Sequence, residues 1–77
     1  MYQVGIDIGS SAAKAVVIEN GEVIKTLLLS TGFSSRKTAD DIYEELEKCG
    51  INKDNAYYVA TGYARISVPY ADKSVTE

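Results

Sequence analysis

The hydrophobic and polar positions at the start of the chain alternate with a period of two. The polar or small positions are Gln3, Gly5 and Asp7, and they separate four apolar or aromatic ones: Tyr2, Val4, Ile6 and Ile8. This alternation predicts a half-buried β-strand that ends near residue 8 and places Asp7 close to its carboxyl end.

Two further strands are predicted to follow as an antiparallel meander. The run 13–18 ends in β-branched residues, and Asn20-Gly21 is a typical signal for a two-residue hairpin. A third strand is predicted from about Glu22 to Ser30. Its apolar residues fall on both sides, so we expect both faces of the sheet to be covered. The residues on one side are Val23, Leu27 and Leu29, and those on the other are Ile24 and Leu28.

A helix is predicted after the polar loop 30–35. Its apolar face repeats every three to four residues and comprises Ala39, Ile42, Tyr43, Leu46 and Cys49. Thr38 followed by Asp41 resembles a capping box at the helix start. Gly50 is expected to end the helix in a left-handed conformation, with Ile51 packed back on the last turn as in a Schellman motif.

A fourth strand is predicted from Ala56 to Thr61, ending at Gly62. A strand reached through a helical crossover should run parallel to a sheet neighbour, here the first strand. The Thr61 end would then lie at the same sheet edge as Asp7, where ligands of open α/β sheets collect. The alternative is that Thr61 and Gly62 form an ordinary strand exit. After Tyr63 we predict a loop with one short strand, and then the opening of another strand at 74–77.

The turn after the first strand carries the candidate chemistry. Asp7 supplies a hard oxygen ligand suited to magnesium, and Gly9 permits a sharp turn and close approach of a ligand. The amides of Gly9, Ser10 and Ser11, with two hydroxyl groups, are able to cradle phosphate oxygens. Lys14 adds a cation that would neutralise phosphate or pair with Asp7. A tight turn stabilised by its own side chains is the alternative.

Composition narrows the classes of function. The 77 residues include no histidine and one cysteine, which excludes histidine-dependent triads, histidine metal sites and an internal disulfide. Cys49 is expected to be a small buried apolar residue. A net charge of −3 argues against nucleic acid as a partner. The apolar runs are too short to cross a membrane and the start does not resemble a signal peptide, so we expect a cytoplasmic location.

The predicted order of strand, strand, strand, helix and strand, with Asp-x-Gly-Ser at the first turn, resembles a known α/β fold. It is the ribonuclease-H-like N-terminal half-domain of the actin, sugar kinase and Hsp70 ATPase superfamily. More narrowly, residues 5–14, the block 60–65 (Ala-Thr-Gly-Tyr-Ala-Arg) and Ala71-Asp72-Lys73 with Thr76-Glu77 resemble the activator ATPases of 2-hydroxyacyl-CoA dehydratases and benzoyl-CoA reductases.

This resemblance implies a homodimeric iron–sulfur protein that binds ATP with magnesium and couples its hydrolysis to electron transfer into a partner dehydratase or reductase. Asp7 would position the magnesium ion. Gly9, Ser10 and Ser11 would hold the β- and γ-phosphates, and Lys14 would support their loop. Family members commonly have glycine where this chain has Ala64, which puts a close backbone approach there in question.

The resemblance also implies that residues 1–77 are a single half-domain truncated at its C-terminal end. The cysteines that bind the [4Fe-4S] cluster in the family would lie beyond Glu77, and Cys49 does not match one of them. We therefore expect the chain to bind no cluster, to contain no catalytic residue and to hydrolyse ATP at no useful rate.

Two other functions fit the same residues. A sugar or acetate kinase relative would share the Asp-x-Gly-Ser turn, because that turn does not distinguish a phosphoryl acceptor from water. A scaffold module would keep the fold without nucleotide chemistry. Its unpaired sheet edges would favour edge-to-edge dimerisation or strand exchange.

Overall fold

The computed structural model describes residues 1–32 and 34–75. Part of the predicted loop, Phe33, and the end of the last predicted strand, Thr76 and Glu77, lie outside these residues. The elements are β1 (Tyr2–Ile8), β2 (Ala12–Glu19), β3 (Glu22–Ser30), α1 (Ser35–Lys48), β4 (Ala56–Thr61), a short 3-10 helix (Arg65–Ser67) and β5 (Lys73–Ser74).

The strands form one mixed sheet in the order β3-β2-β1-β4-β5. The first three strands pair antiparallel as a meander, and β4 pairs parallel to β1 after the crossover through α1. Both predicted relationships are confirmed. The β5 strand adds a short parallel pair outside β4.

One face of the sheet packs against α1 and forms the core. Alternate residues of β1, β2 and β4 point to this face, and the helix contributes residues at the predicted spacing. The fully buried large side chains are Val4, Ile6, Ile8, Val17, Ile42, Leu46 and Tyr58. Each buried aliphatic side chain of this size stabilises the fold by about 1.5–3 kcal/mol relative to exposure.

The opposite face of the sheet is open, so the expectation that both faces are covered is wrong. Leu28 is 71% exposed and Val23 is 60% exposed. A bulge explains why Val23 does not join Leu27 and Leu29: the register shifts from Val17 paired with Lys25 to Ile18 paired with Val23. Because neighbouring residues of a strand point to opposite faces, this shift turns Val23 away from the helix.

The helix starts one turn earlier than the predicted capping box requires. Ser34 is the N-cap, and its Oγ accepts a hydrogen bond from Lys37 N at 3.2 Å. Thr38 is buried in the first turn, where its Oγ1 donates to Ser34 O at 3.1 Å. The box at Thr38 and Asp41 is therefore wrong, because a serine already precedes the first helical turn.

The helix ends as predicted. Gly50 has φ +82°, its amide donates to Glu47 O at 2.9 Å, and the Ile51 amide donates to Leu46 O at 3.0 Å. These bonds define a Schellman ending. Cys49 is exposed, so its predicted burial is wrong. Cys49 is the C-cap of the helix, where the backbone has left helical geometry with ψ 7°.

The segment after β4 is more ordered than its sequence predicts. Asp72 extends the edge of β4: its amide donates to Tyr58 O and its Oδ2 accepts from Tyr58 N, both at 2.8 Å. The bond that the Tyr58 amide donates to the carboxylate, followed by the contact with Lys53 at 3.0 Å, holds the pKa of the Asp72 carboxyl below its ordinary value. Tyr70 packs on Tyr43 and Tyr58, with ring centroids 4.8 and 5.2 Å apart.

Candidate functional site

The carboxyl ends of β1 and β4 meet at one edge of the sheet. Asp7 and Thr61 are direct register partners in this parallel pair, and both are partly exposed. The predicted adjacency of the two strand ends is therefore confirmed. It places a carboxylate and a hydroxyl side by side on the open face, where a ligand has access to both.

Gly62 brings the chain after β4 very close to β1. Its φ is +91°, a conformation that residues with a side chain rarely adopt. A Cβ at this position would collide with Asp7 Oδ1 and would lie 2.9 Å from Ile8 O. Gly62 is thus required for the geometry around Asp7, which an ordinary strand exit does not need.

Ala64 also lies close to β1. Its amide donates to Ile8 O at 2.9 Å, and its side chain is buried. The φ of Ala64 is −108°, which alanine adopts without strain. The doubt raised by alanine in place of glycine is therefore resolved: this backbone contact forms with alanine.

The turn between β1 and β2 differs in one respect from the predicted phosphate cradle. The Gly9 amide donates to Ala12 O at 2.9 Å, so it closes the turn and is not free for a ligand. Gly9 does not adopt a positive φ. A Cβ there would lie 3.2 Å from Ala12 O, so the glycine matters because it allows this tight turn.

Ser10 and Ser11 form the exposed tip of this turn. Within residues 1–32 and 34–75, their amides and hydroxyl groups donate to no protein acceptor. Two successive uncommitted amides with two hydroxyl groups are a suitable set of donors for an anion. The cradle that the sequence predicts from three amides is thus reduced to the amides of Ser10 and Ser11.

Thr31, whose sequence context predicts no role, holds the base of the turn. Its Oγ1 donates to Gly9 O at 3.0 Å, and its amide donates to Ser11 O at 3.1 Å. These two bonds fix the carbonyl groups on either side of Ser10. The only signal in the sequence is a hydroxyl residue directly after β3, which is too common to be informative.

Lys14 is the register partner of Asp7 on the β2 side and is exposed. In the part of the chain that the structure describes, it forms no ion pair with Asp7. The predicted alternative in which Lys14 pairs with that carboxylate is therefore not observed. Its ammonium group remains available on the same open face.

Arg65 is a second cation near the strand ends, and it is not among the predicted site residues. Its Nη1 donates to Gly62 O at 3.3 Å, and the side chain is partly buried. No carboxylate pairs with it among the described residues. The remaining guanidinium donors are therefore free of a charged protein partner.

These residues suit phosphate held with a divalent cation. Asp7 offers one hard oxygen ligand, and the described residues contain no group of three acidic, cysteine or histidine side chains able to hold a metal ion. Magnesium commonly binds through one or two carboxylates together with phosphate oxygens and water. Asp7 therefore fits a magnesium ion that arrives with a nucleotide better than a resident metal.

A cavity of about 340 Å³ lies against α1. It is lined by Asp40, Tyr43, Glu44, Glu47 and Tyr70. Three carboxylates would repel phosphate, so this cavity does not compete with the strand-end site for an anionic ligand. No helix among the described residues has both the length and the apolar character needed to cross a bilayer.

Comparison with known proteins identifies relatives over the whole chain. It is 38% identical to the activator of lactoyl-CoA dehydratase from Anaerotignum propionicum, covering all of this chain and 30% of that protein. It is also 38% identical to the (R)-2-hydroxyglutaryl-CoA dehydratase activating ATPase from Acidaminococcus fermentans, covering all of this chain and 31% of the relative. No protein-family model matches.

A solved structure supports the same relationship. The activator of the 2-hydroxyisocaproyl-CoA dehydratase from Clostridium difficile, solved with bound ADPNP, superposes with a TM-score of 0.80 at 31% identity. The match covers 99% of this chain and 29% of that one. The chain belongs to the family of 2-hydroxyacyl-CoA dehydratase activators.

Membership of the activator family confirms the predicted half-domain fold, because sequence and fold agree along the chain. The chain spans about three tenths of the length of these activators.

Proposed function

We propose that this chain is the phosphate-binding part of an ATPase that activates a CoA-ester dehydratase. The observation that carries the proposal is the arrangement of Asp7 beside the β4 end, made possible by Gly62, with the free amides of Ser10 and Ser11 on the adjoining turn. The ATPase named among the relatives and the ADPNP bound to the Clostridium difficile activator support a nucleotide as the ligand.

Each proposed site residue has a physical role. Asp7 binds the magnesium ion of Mg-ATP or Mg-ADP, directly or through water. Ser10 and Ser11 donate to the β- and γ-phosphate oxygens, while Gly9 shapes their turn. Lys14 supplies positive charge from the β2 side. Thr61 and Gly62 close the site at the end of β4.

The protein partner follows from the family. A dehydratase is the proposed partner, because the activators named above are defined by the dehydratase that each one activates. We further propose that the chain acts in a homodimer and in the cytoplasm. One exposed free cysteine suits a reducing compartment.

A [4Fe-4S] cluster does not fit the residues present. Such clusters are held by four cysteine thiolates, whereas this chain has one cysteine. We therefore derive no electron-transfer step for this chain. We also propose no catalytic residue in it, so its role is to bind and orient phosphate.

Amide chemical shifts test the proposal residue by residue. With ¹⁵N-labelled chain, Mg-ADPNP should shift the Ser10 and Ser11 amide signals strongly, and Mg-AMP should shift them much less because it lacks the β- and γ-phosphates. The Asn20 and Gly21 amides provide the control, since that hairpin turn joins the opposite ends of β2 and β3. Equal shifts with both nucleotides, or shifts confined to other regions, would favour the scaffold function.

A further inference from the structure

The two arginines of the chain, Arg36 and Arg65, differ in their partners. Arg36 lies on α1, where its exposed side chain pairs with Asp40 at 3.6 Å. Arg65 begins the 3-10 helix, is partly buried, and forms no ion pair with any residue that the structure describes. A guanidinium group stays charged, and burying part of it without a counter-ion is unfavourable. An anionic ligand would supply the missing negative charge.

The backbone holds Arg65 beside the strand-end site. The preceding residue, Ala64, is buried and donates its amide to Ile8 O at 2.9 Å. The Nη1 of Arg65 donates to Gly62 O at 3.3 Å, and Gly62 itself lies against the Asp7 carboxylate. The guanidinium and the carboxylate therefore contact the same residue, which places both within reach of a single ligand.

The contact between Arg65 and Gly62 is weak. Its length of 3.3 Å exceeds the usual range of about 2.7–3.2 Å for a hydrogen bond from nitrogen to oxygen. The same carbonyl also accepts the backbone amide of Arg65, at 3.3 Å. Gly62 O would therefore keep a hydrogen-bond partner if the guanidinium turned away. The side chain can exchange this carbonyl for a ligand oxygen at little cost in free energy.

We propose that Arg65 binds the terminal phosphate of a nucleoside triphosphate and makes the chain prefer a triphosphate to a diphosphate. This inference rests on the proposed nucleotide function and adds a specificity-determining residue to it. The planar guanidinium presents parallel N–H donors that match two oxygens of one phosphate group. No bond is made or broken in this role, which is recognition of charge and shape.

The arrangement of charges explains why Arg65 and Asp7 do not pair with each other. A direct ion pair would neutralise the carboxylate that we propose as the magnesium ligand. With the guanidinium held on Gly62 O, the carboxylate stays available for the cation and the guanidinium for phosphate. The order of carboxylate, magnesium ion, phosphate and guanidinium then alternates in sign along the bound ligand.

The donors on the two sides of the site differ in charge. Ser10 and Ser11 offer neutral amides and hydroxyl groups from the turn between β1 and β2. Arg65 offers a full positive charge from the β4 end. A hydrogen bond to an ionised donor is about twice as strong as one between neutral groups. The γ-phosphate adds negative charge that a diphosphate lacks, so Arg65 favours the triphosphate.

The guanidinium signals test the contact directly. The ¹⁵N-labelled chain has two arginine Nε–Hε signals, which Arg36→Lys assigns. Mg-ADPNP should shift the Arg65 signal more than Mg-ADP does, and the Arg36 signal should stay in place. Shifts of the Ser10 and Ser11 amides without a shift at Arg65 Nε would overturn this inference and leave the proposed function intact. No response to either nucleotide in any of these signals would overturn both.

The affinities of variants measure the contribution of the contact. Arg65→Gln should weaken Mg-ADPNP binding about tenfold and Mg-ADP binding less than about threefold, because ADP lacks the phosphate that Arg65 binds. Arg65→Lys should lie between wild type and Arg65→Gln, since lysine keeps the charge and loses the paired donors. Arg36→Gln is the matched control and should change both affinities by less than about twofold.

A purely structural Arg65 predicts a different pattern. If the guanidinium served only to hold Gly62 O, its loss would disturb the site for both nucleotides alike. Urea unfolding without nucleotide measures that structural contribution, and the midpoints of Arg65→Gln and Arg36→Gln should both stay close to the wild-type value. Equal weakening of Mg-ADPNP and Mg-ADP binding by Arg65→Gln, or an unchanged Mg-ADPNP affinity, would overturn the proposal.

Discussion

Gly62 and Asp7 are in such close contact that a single added carbon on Gly62 would overlap the Asp7 carboxylate. Asp7 is also the register partner of Thr61. The acid is therefore enclosed on one side by the backbone of Gly62, the residue that follows β4. This relationship explains how two segments more than fifty residues apart in sequence form one site.

Replacing Gly62 with alanine should destabilise the fold. The positive φ and the collision with Asp7 and Ile8 together predict a loss of about 2–4 kcal/mol in the free energy of unfolding. Gly5→Ala is the matched control, because a Cβ there meets nothing within 4 Å. Urea unfolding should show a large fall in midpoint for Gly62→Ala and a change within about 0.5 kcal/mol for Gly5→Ala. Similar midpoints for the two variants would contradict the close approach.

Replacing Thr31 with valine should loosen the phosphate turn. Valine keeps the shape of the side chain and removes the hydroxyl that donates to Gly9 O. We expect a loss of about 1 kcal/mol in unfolding free energy and faster hydrogen exchange of the Gly9 amide. Thr26→Val, at an exposed position of β3, provides the control. Unchanged exchange at Gly9 would show that Thr31 does not hold the turn.

The sequence predicted the elements whose pattern is local and periodic. The alternation from Tyr2 to Ile8, the Asn20-Gly21 hairpin and the Gly50 helix ending all correspond to the observed structure. The parallel pairing of β1 with β4 followed from the helical crossover between them, and this pairing was sufficient to bring Asp7 and Thr61 together.

The remaining features depend on contacts between distant residues. The bulge at Ile24 arises from the register of β3 against β2, which no single strand encodes. The Thr31 bonds to the first turn join residues more than twenty positions apart. The Gly9 amide looked available from sequence because its acceptor, Ala12 O, is a backbone group that has no sequence signature.

Replacing Tyr58 with phenylalanine should leave the fold as stable as before or stabilise it by about 1 kcal/mol. The Tyr58 hydroxyl is buried and has no hydrogen-bond partner among the described residues, so its removal relieves a desolvation cost. Tyr70→Phe is the contrast: it removes a 2.6 Å hydrogen bond to Ala39 O and should cost about 1 kcal/mol. A larger loss for Tyr58→Phe than for Tyr70→Phe would contradict this assignment.

The same tyrosine predicts a response to alkaline pH. Burial raises the pKa of Tyr58 to about 12 from 10.0. The unfolded chain loses the Tyr58 proton at a lower pH than the folded chain does. The stability that the folded chain has while Tyr58 is protonated in both states is therefore present below pH 10 and is lost as the pH rises towards 12. Unfolding free energies measured across that interval should fall less steeply for Tyr58→Phe than for wild type.

The lowered pKa of Asp72 predicts a loss of stability at acid pH. Its pKa lies below the ordinary 3.8 because it accepts a hydrogen bond from the Tyr58 amide and pairs with Lys53. Its contribution to stability is therefore present above pH 3.8 and is lost as the pH falls through the lowered pKa. Asp72→Asn should be less stable than wild type at pH 7, and the difference between the two should shrink in acid. Parallel acid-unfolding curves would count against the assignment.

The measurement that tests the nucleotide site most directly is calorimetric titration of Mg-ADPNP into wild type, Asp7→Asn and Asp54→Asn. Asp7→Asn keeps the shape of the side chain and removes the negative charge that attracts magnesium, whereas Asp54 lies in the turn before β4, at the other end of that strand. We predict at least about tenfold weaker binding for Asp7→Asn, equivalent to about 1.4 kcal/mol, and wild-type affinity for Asp54→Asn. Equal affinities for all three proteins, or no binding to wild type, would contradict the site.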